Sequence, residues 1–140
     1  MIMYPEQLVA PMRDELTSLG FSDLKSPEEV ADILSQESGT TLLVVNSVCG
    51  CAAGAARPGV SQSLAGSDKK PDRTITVFAG VSKEATQKAR EYLMPYPPSS
   101  PAIALFKDGK LVHMLERLHI EGRSAEMIAA NLQDAYAQYC

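Results

Sequence analysis

The sequence predicts an α/β fold with a mixed central sheet of about four strands, helices on both faces, and two extra N-terminal helices. Two apolar, β-branched segments, 40–45 and 74–79, flank a helical segment, an order that gives a right-handed parallel pair. Two further short apolar segments are joined by Lys107-Asp108-Gly109-Lys110, where Asp-Gly is a strong hairpin signal. From residue 40 the order is β-α-β-α-β-β-α, which places parallel and antiparallel strands in one sheet.

Two helices are expected before the first strand. Residues 5–19 carry apolar side chains at helical spacing, and Gly20 suits the position past the helix end. The second helix begins at Ser26, because Ser26-Pro27-Glu28-Glu29 fits a capping box with proline at the first helical position, and it ends at Gly39. Residues 21–24 between the helices are expected to form a short connector.

The first strand leads into a pair of cysteines. Residues 42–45 form a continuous apolar run, as in a strand buried on both faces. After Asn46 and Ser47 comes Cys49-Gly50-Cys51, followed by small residues that can begin a helix. The cysteines are therefore expected where a buried strand ends and a helix, about 51–64, starts. Pro58 falls inside that helix and should kink or interrupt it.

The remaining elements are predicted from the same patterns. In chain order they are a strand at 74–79, a helix capped by Ser82 that runs to about residue 94, a proline-rich loop at 95–101, hairpin strands at 102–106 and 111–116, and a last helix at about 124–139. The core face of the last helix is expected to consist of Met127, Ile128, Leu132 and Tyr136.

Length and composition bound the possible functions. The 140 residues suffice for a single domain over 1–140, with N-terminal helices at 1–39 and a core at 40–140. A net charge of −4 and a pI near 5.1 give no electrostatic footprint for nucleic acid. No apolar run approaches the roughly 20 residues of a membrane span. The first six residues lack the basic and apolar regions of a secretory signal, so we expect a cytoplasmic protein.

The position of the cysteine pair favours nucleophilic chemistry. A helix start presents unpaired N–H groups and partial positive charge, which stabilise a thiolate over a thiol. Cys49, at the turn, is the natural attacking group, and Gly50 lets the backbone bend and leaves room for an incoming sulfur. Cys51 can then resolve the mixed disulfide. The small ring that the pair would close suggests strain, which suits removal of a small thiol or disulfide shuffling.

Two other interpretations of the pair stay open. The cysteines could be small buried hydrophobic residues. They could also bind zinc or copper(I), although the remaining candidate ligands, Cys140, His113 and His119, supply no second pair at metal spacing. We expect thiol–disulfide exchange and no metal site. A strand, a dithiol at a helix start, a kinked helix and a proline before a later hairpin together describe a thioredoxin-like fold.

The chain also resembles the bacilliredoxin family over nearly its whole length. The matching segments are Val-Val-Asn-Ser-Val-Cys-Gly-Cys-Ala-Ala-Gly at 44–54, Ala-Arg-Pro at 56–58, Thr-Val-Phe-Ala-Gly at 76–80, Lys-Glu-Ala-Thr at 83–86, Pro-Ser-Ser-Pro at 98–101, Ile-Glu-Gly-Arg at 120–123, and the terminal Cys140. The proline-rich segment 94–97 departs from the family pattern. Cys-Gly-Cys alone would be weak evidence, whereas this ordered series is specific.

The resemblance implies removal of bacillithiol from S-bacillithiolated proteins, with bacillithiol as thiol co-substrate and no tightly bound cofactor. Cys49 would attack the mixed disulfide, and Cys51 or a second bacillithiol would resolve it. Gly50, Ser100 and Pro101 would contact the substrate, with Pro101 in the cis form. The alternatives are a disulfide isomerase or general disulfide reductase, or a metal-binding or redox-sensing module without turnover.

Four further residues have open roles in the sequence. Cys140 is either a third redox thiol or an exposed surface residue. His113 is explained by packing as well as by function, and His119 could face the sulfur site. Arg57 could steady a carboxylate of bacillithiol, with a solvated surface position as the alternative.

Overall fold

A computed structural model describes residues 4–140. The first three residues, on which the cytoplasmic expectation partly rests, lie outside this range. The elements in chain order are α1 (Glu6–Thr17), β1 (Ser22–Asp23), α2 (Pro27–Leu34), β2 (Thr40–Asn46), a π-helical segment (Ala52–Ala56), α3 (Arg57–Ala65), β3 (Arg73–Phe78), α4 (Lys83–Leu93), β4 (Ala102–Lys107), β5 (Lys110–Leu115), α5 (Arg117–Ile120) and α6 (Ala125–Tyr139). None of the helices described is long and apolar enough to cross a bilayer.

The sheet is mixed, as expected, but it has five strands in the order β1-β3-β2-β4-β5. The additional strand is β1, which falls in the segment expected to be a connector. Ser22 and Asp23 pair in parallel with Ile75 and Thr76 at the sheet edge. Two residues are too few to show a period-two pattern, so this strand depends on its neighbour rather than on its own sequence.

The pairing around β2 explains the expected topology. β2 runs parallel to β3 and antiparallel to β4, and β4 pairs with β5 as a hairpin. Asp108 and Gly109 at the hairpin turn have φ angles of 51° and 80°. Positive φ at both central residues is the requirement of a type I′ turn, which explains why Asp-Gly is favoured there.

The core lies on both faces of the sheet because every residue of β2 is buried. Leu42 and Val44 point to a cluster with residues of α1, α3 and α6. Leu43 and Val45 point to the opposite cluster, with residues of α2 and α4. This alternation follows from the two-residue period of a strand, and it confirms the expectation of helices on both faces.

The helix ends mostly agree with the sequence signals. Ser26 and Glu29 form the expected capping box, with Glu29 N donating to Ser26 Oγ at 3.2 Å. Ser82 precedes α4 but makes no side-chain cap bond. In α6, Ile128, Leu132 and Tyr136 are buried as expected, whereas Met127 is 53% exposed. Adjacent residues are about 100° apart around a helix, so a residue beside a narrow core stripe can face solvent.

Candidate active site

The cysteine pair lies between the end of β2 and the start of a helix. The carbonyl oxygen of Cys49 accepts hydrogen bonds from the N–H groups of Ala52 and Ala53 at 3.1 and 3.3 Å. Cys49 therefore stands immediately before the helical turn and Cys51 within it. Both side chains are half-buried, and their Sγ atoms lie 2.7 Å apart. The two thiols are thus close enough to share a proton.

The surroundings of the two sulfurs favour ionisation of Cys49. Burial acts to raise the pKa of Cys49, but hydrogen bonds from the Cys51 thiol, the Ser47 hydroxyl and the N–H groups of Ala52 and Cys51 outweigh burial and lower it. The pKa of Cys51 is raised by burial, by its hydrogen bond to Cys49 and by the Cys49 charge. The arrangement therefore favours ionisation of Cys49 over ionisation of Cys51, with the Cys51 thiol as hydrogen-bond donor to the Cys49 sulfur.

Pro58 disturbs the helix after the cysteines, as the sequence predicts, but the form of the disturbance is a π-helical turn. The N–H of Arg57 bonds to the carbonyl of Ala52, five residues earlier, and Pro58 is the second residue of α3. Proline lacks an N–H and its ring collides with the carbonyl four residues before it. A wider turn before Pro58 is one way for the chain to accommodate that collision.

Arg57 occupies a position that the sequence did not predict. Its side chain is 2% exposed, so the expectation of a solvated surface residue is wrong. Nη1 donates to Asn46 Oδ1 and to the carbonyl of Ser47, both at 2.9 Å. Nε lies 3.2 Å from Glu15 Oε2 of α1. The guanidinium therefore contacts protein groups here, rather than standing open to a bacillithiol carboxylate.

Asn46 and Ser47 connect this buried cation to the sulfur site. Asn46 Oδ1 also accepts from the N–H of Ser47 at 2.9 Å, and Asn46 Nδ2 donates to the Met12 carbonyl of α1 at 3.3 Å. Ser47 Oγ accepts from the N–H of Cys49 at 3.2 Å. The sequence pattern did not predict a role for either residue at the site. The signal for a role was two polar side chains ending an otherwise apolar buried strand.

The proline loop and the cysteine turn lie at the same end of the neighbouring strands β2 and β4. Ala102 pairs with Val45, near the end of β2, so Pro101 lies beside the strand that carries the cysteines. The Ser100–Pro101 bond is cis, as expected, and so is Met94–Pro95. Pro101 is buried, Ser100 is half-buried and Gly50 is exposed. These three residues thus lie around the end of β2.

Arg117 is a charged residue of this region that no sequence motif identified. Its N–H donates to Ser99 Oγ at 3.3 Å, and its Nη1 donates to the Ser100 carbonyl at 3.2 Å. Its Nε pairs with Glu121 at 2.9 Å. The positive charge of Arg117 acts to lower the pKa of Cys51, although burial and Cys49 prevail. Arg117 therefore contacts the proline loop through Ser99 and Ser100 and also places a positive charge near the thiols.

The other candidate residues lie in different surroundings. His119 Nδ1 accepts from the N–H of Glu116 at 3.0 Å, so this ring caps α5. His113 Nε2 lies 2.6 Å from Asn131 Oδ1 and joins β5 to α6. Among residues 4–140, His, Cys, Asp and Glu form no group of three suited to a metal ion.

Cys140 is exposed and lies near the Thr40 hydroxyl, at the start of β2. The six steps from Thr40 to Asn46 span about 20 Å. The structure does not bring Cys140 together with the Cys49–Cys51 pair. Burial raises the pKa of Cys140, which a hydrogen bond with Thr40 partly offsets.

Fold and site together define a thiol–disulfide oxidoreductase with a thioredoxin-like fold. Mitochondrial thioredoxin 3 of Saccharomyces cerevisiae superposes with a TM-score of 0.57 at 16% identity, over 86% of this chain and 96% of that one. Thioredoxin O2 of Arabidopsis thaliana gives a TM-score of 0.56 at 17% identity, over 83% and 94% of the two chains. These likenesses confirm the expected fold.

The sequence relationships are closer. A family model described as disulphide isomerase matches residues 4–140. A bacilliredoxin of Cytophaga hutchinsonii is 63% identical over 134 residues, which cover 96% of this chain and 98% of the relative. A bacilliredoxin of Salinibacter ruber is 55% identical over 138 residues, covering 98% and 81% of the two chains. The chain belongs to the bacilliredoxin family.

Proposed function

We propose that this protein removes bacillithiol from S-bacillithiolated proteins in the cytoplasm, with Cys49 as nucleophile and Cys51 as resolving thiol. The observation that carries the proposal is the 2.7 Å contact between the two sulfurs, combined with the lowered pKa of Cys49 and the raised pKa of Cys51. The thiolate is the attacking form, and its neighbour keeps a proton until it is needed.

The proposed reaction consists of two successive thiol–disulfide exchanges. The Cys49 thiolate attacks the bacillithiol sulfur of the mixed disulfide, and the substrate cysteine leaves as a thiolate that takes up a proton. Cys51 then loses its proton and attacks Cys49, which releases bacillithiol and leaves a Cys49–Cys51 disulfide. The substrate disulfide is reduced by two electrons and the cysteine pair is oxidised by two. A second bacillithiol, in place of Cys51, would instead leave with the first as bacillithiol disulfide.

The relatives support the substrate, because they are named bacilliredoxins. Gly50, Ser100 and Pro101 are proposed to contact the substrate. Gly50 has open space where a Cβ would stand, so an incoming sulfur can approach there. Disulfide isomerisation is the second candidate function, and the description of the family model favours it. Isomerisation uses the same Cys49 attack on a protein disulfide.

The test separates attack from resolution. Incubated with a bacillithiolated protein, Cys51→Ala should remove the modification and accumulate bacillithiol on Cys49, as read by intact-protein mass spectrometry. Cys49→Ser should do neither. If Cys49→Ser worked as fast as the parent, the assigned roles would be wrong. If the protein restored the activity of a substrate with scrambled disulfides but did not remove bacillithiol, the isomerase function would be favoured. Stoichiometric zinc or copper lost on Cys49→Ser would favour a metal module.

A further inference from the structure

A cavity of about 350 Å³ lies on α4, and neither cysteine of the pair lines it. It is lined by Gly80, Lys83, Thr86, Gln87, Arg90 and Pro98. Its volume falls at the lower end of the roughly 300–1,000 Å³ range of small-molecule sites. The cavity adjoins the α2 and α4 face of the sheet, and Ala79, beside Gly80, donates its N–H to the Asn46 carbonyl at 3.0 Å. The cavity therefore lies toward the same end of β2 and β3 as the cysteine turn.

The lining carries positive charge without a counterion. Lys83 and Arg90 both face the cavity, and no carboxylate lines it. Within residues 4–140, neither cation takes part in an ion pair, although Lys88 of the same helix pairs with Glu91 at 3.1 Å. Burial lowers the pKa of Arg90, and no acidic group offsets this effect. The cavity is thus suited to a negatively charged occupant.

Two buried polar groups of the lining lack hydrogen-bond partners within the described chain. Thr86 is 2% exposed, and its Oγ1 has no partner. Arg90 Nε is also buried without one. A buried donor without a partner is unfavourable, because it has given up its hydrogen bonds to water and gained none in the protein. Since both groups line the same cavity, one ligand with acceptor oxygens could satisfy both.

We propose that this cavity binds a small anion through a carboxylate or phosphate group. Arg90 and Lys83 supply the charge, and the Thr86 hydroxyl and Arg90 Nε–H donate hydrogen bonds. The site is distinct from the thiol pair and does not depend on the exchange reaction. Pro98 lines the cavity three residues before Pro101, so an occupant would contact the loop that leads to the cis proline.

The test is an NMR titration of the reduced, ¹⁵N-labelled full chain with inorganic phosphate and, separately, with succinate, at constant ionic strength. Saturable shifts are expected at the amides of Gly80, Thr86 and Gln87 and at Arg90 Nε–H. Lys83→Gln and Arg90→Gln should each weaken binding about tenfold or more, since a hydrogen bond to a charged group contributes about 1.5–3 kcal/mol. The anion that binds more tightly identifies the preferred group, phosphate or carboxylate.

Lys88→Gln is the matched control, because Lys88 lies on the same helix but outside the cavity lining. It should bind both anions like the parent. Lys83 is exposed, so Lys83→Gln keeps the test valid if Arg90→Gln does not fold. The proposal fails if neither anion gives saturable shifts. It also fails if Lys83→Gln binds like the parent, or if sodium chloride produces the same shifts.

Discussion

Arg57 Nη1 donates a 2.9 Å hydrogen bond to the carbonyl oxygen of Ser47, ten residues earlier in the chain. The helix that comes after the cysteines thereby holds the turn that precedes them. The same nitrogen bonds to Asn46, whose side chain reaches α1 through the Met12 carbonyl. Arg57 comes after the cysteines and bonds to Asn46 and Ser47 before them, so we expect it to position Cys49.

Replacement of Arg57 by methionine should weaken both folding and exchange. The Ser47 carbonyl and the Asn46 side chain would remain buried with one donor fewer, which should lower the free energy of unfolding by about 2–3 kcal/mol. The attack of Cys49 should slow severalfold because the turn is less fixed. Urea unfolding and the single-turnover rate of mixed-disulfide formation measure the two effects.

Arg73→Met is the matched control for this variant. Arg73 also bonds a backbone carbonyl and a hydroxyl, those of Ser38 and Thr41, but near the start of β2, at the end of that strand opposite to the cysteines. The Arg73→Met variant should lose stability, but its folded molecules should form the Cys49 mixed disulfide at the rate of the parent. Equal attack rates in the Arg57 and Arg73 variants would show that Arg57 has only a structural role.

Ser47→Ala should shift the pH dependence of attack to higher pH. The Ser47 hydroxyl is one of the groups that lower the pKa of Cys49, so its loss raises that pKa. A smaller fraction of thiolate then exists at neutral pH, and attack slows there but recovers as pH rises. The pH profile of thiolate ultraviolet absorbance, alongside the rate of alkylation, measures the shift.

Ser63→Ala controls for the loss of a buried hydroxyl. Ser63 bonds to the Val60 carbonyl at 2.7 Å and to the Tyr136 hydroxyl at 2.9 Å, far from the sulfurs in the fold. The Ser63→Ala variant should lose about 1 kcal/mol of stability and keep the pH profile of the parent. Ser47→Thr, which keeps the hydroxyl, should restore most of the parent behaviour. An unshifted Ser47→Ala profile would exclude this role.

Arg117→Gln should slow resolution by Cys51, and it should also slow attack by Cys49, because the charge of Arg117 interacts with both thiols. The charge of Arg117 acts to lower the pKa of Cys51, so its removal raises that pKa and leaves less Cys51 thiolate for the second step. The Cys49 mixed disulfide should therefore persist severalfold longer at neutral pH, as read by quenched-flow mass spectrometry. Arg123→Gln, an exposed change in the neighbouring turn, should leave its lifetime unchanged. Equal lifetimes in the two variants would contradict the prediction.

Two glycines near the cysteines should respond oppositely to alanine. A Cβ on Gly59 would lie 2.6 Å from Ile128 Cβ and Cγ2 of α6, so Gly59→Ala should destabilise the fold by about 1–3 kcal/mol through overpacking. A Cβ on Gly54 would meet nothing within 4 Å, so Gly54→Ala should stabilise by about 0.5–1 kcal/mol. Urea unfolding of both variants checks the signs, and a stable Gly59→Ala would disprove close packing there.

Much of the fold could be predicted from the sequence because the signals for its elements are local. The continuous run of β2, the Asp-Gly turn and the Ser26 capping box each lie within a few adjacent residues. The cysteine site was readable for the same reason. The edge strand β1 was not, since its two residues become a strand only through pairing with β3.

The buried position of Arg57 and the contacts of Arg117 were missed for different physical reasons. A π-helical turn inserts about one extra residue and rotates the subsequent residues around the helix axis, so a count at 3.6 residues per turn misplaces Arg57. Arg117 reaches the site through the Ser100 carbonyl, 17 residues earlier. No spacing within one element could indicate such a contact.

Cys140 can serve as an internal reference when the free thiols of this protein are counted by alkylation. The chain has three cysteines, and Cys140 lies about 20 Å from the other two along β2. A fully reduced molecule offers three groups to an alkylating reagent under denaturing conditions, whereas one with the Cys49–Cys51 bridge offers a single group. The ratio of the two alkylated masses therefore reports the redox state of a population, with no need for an external standard.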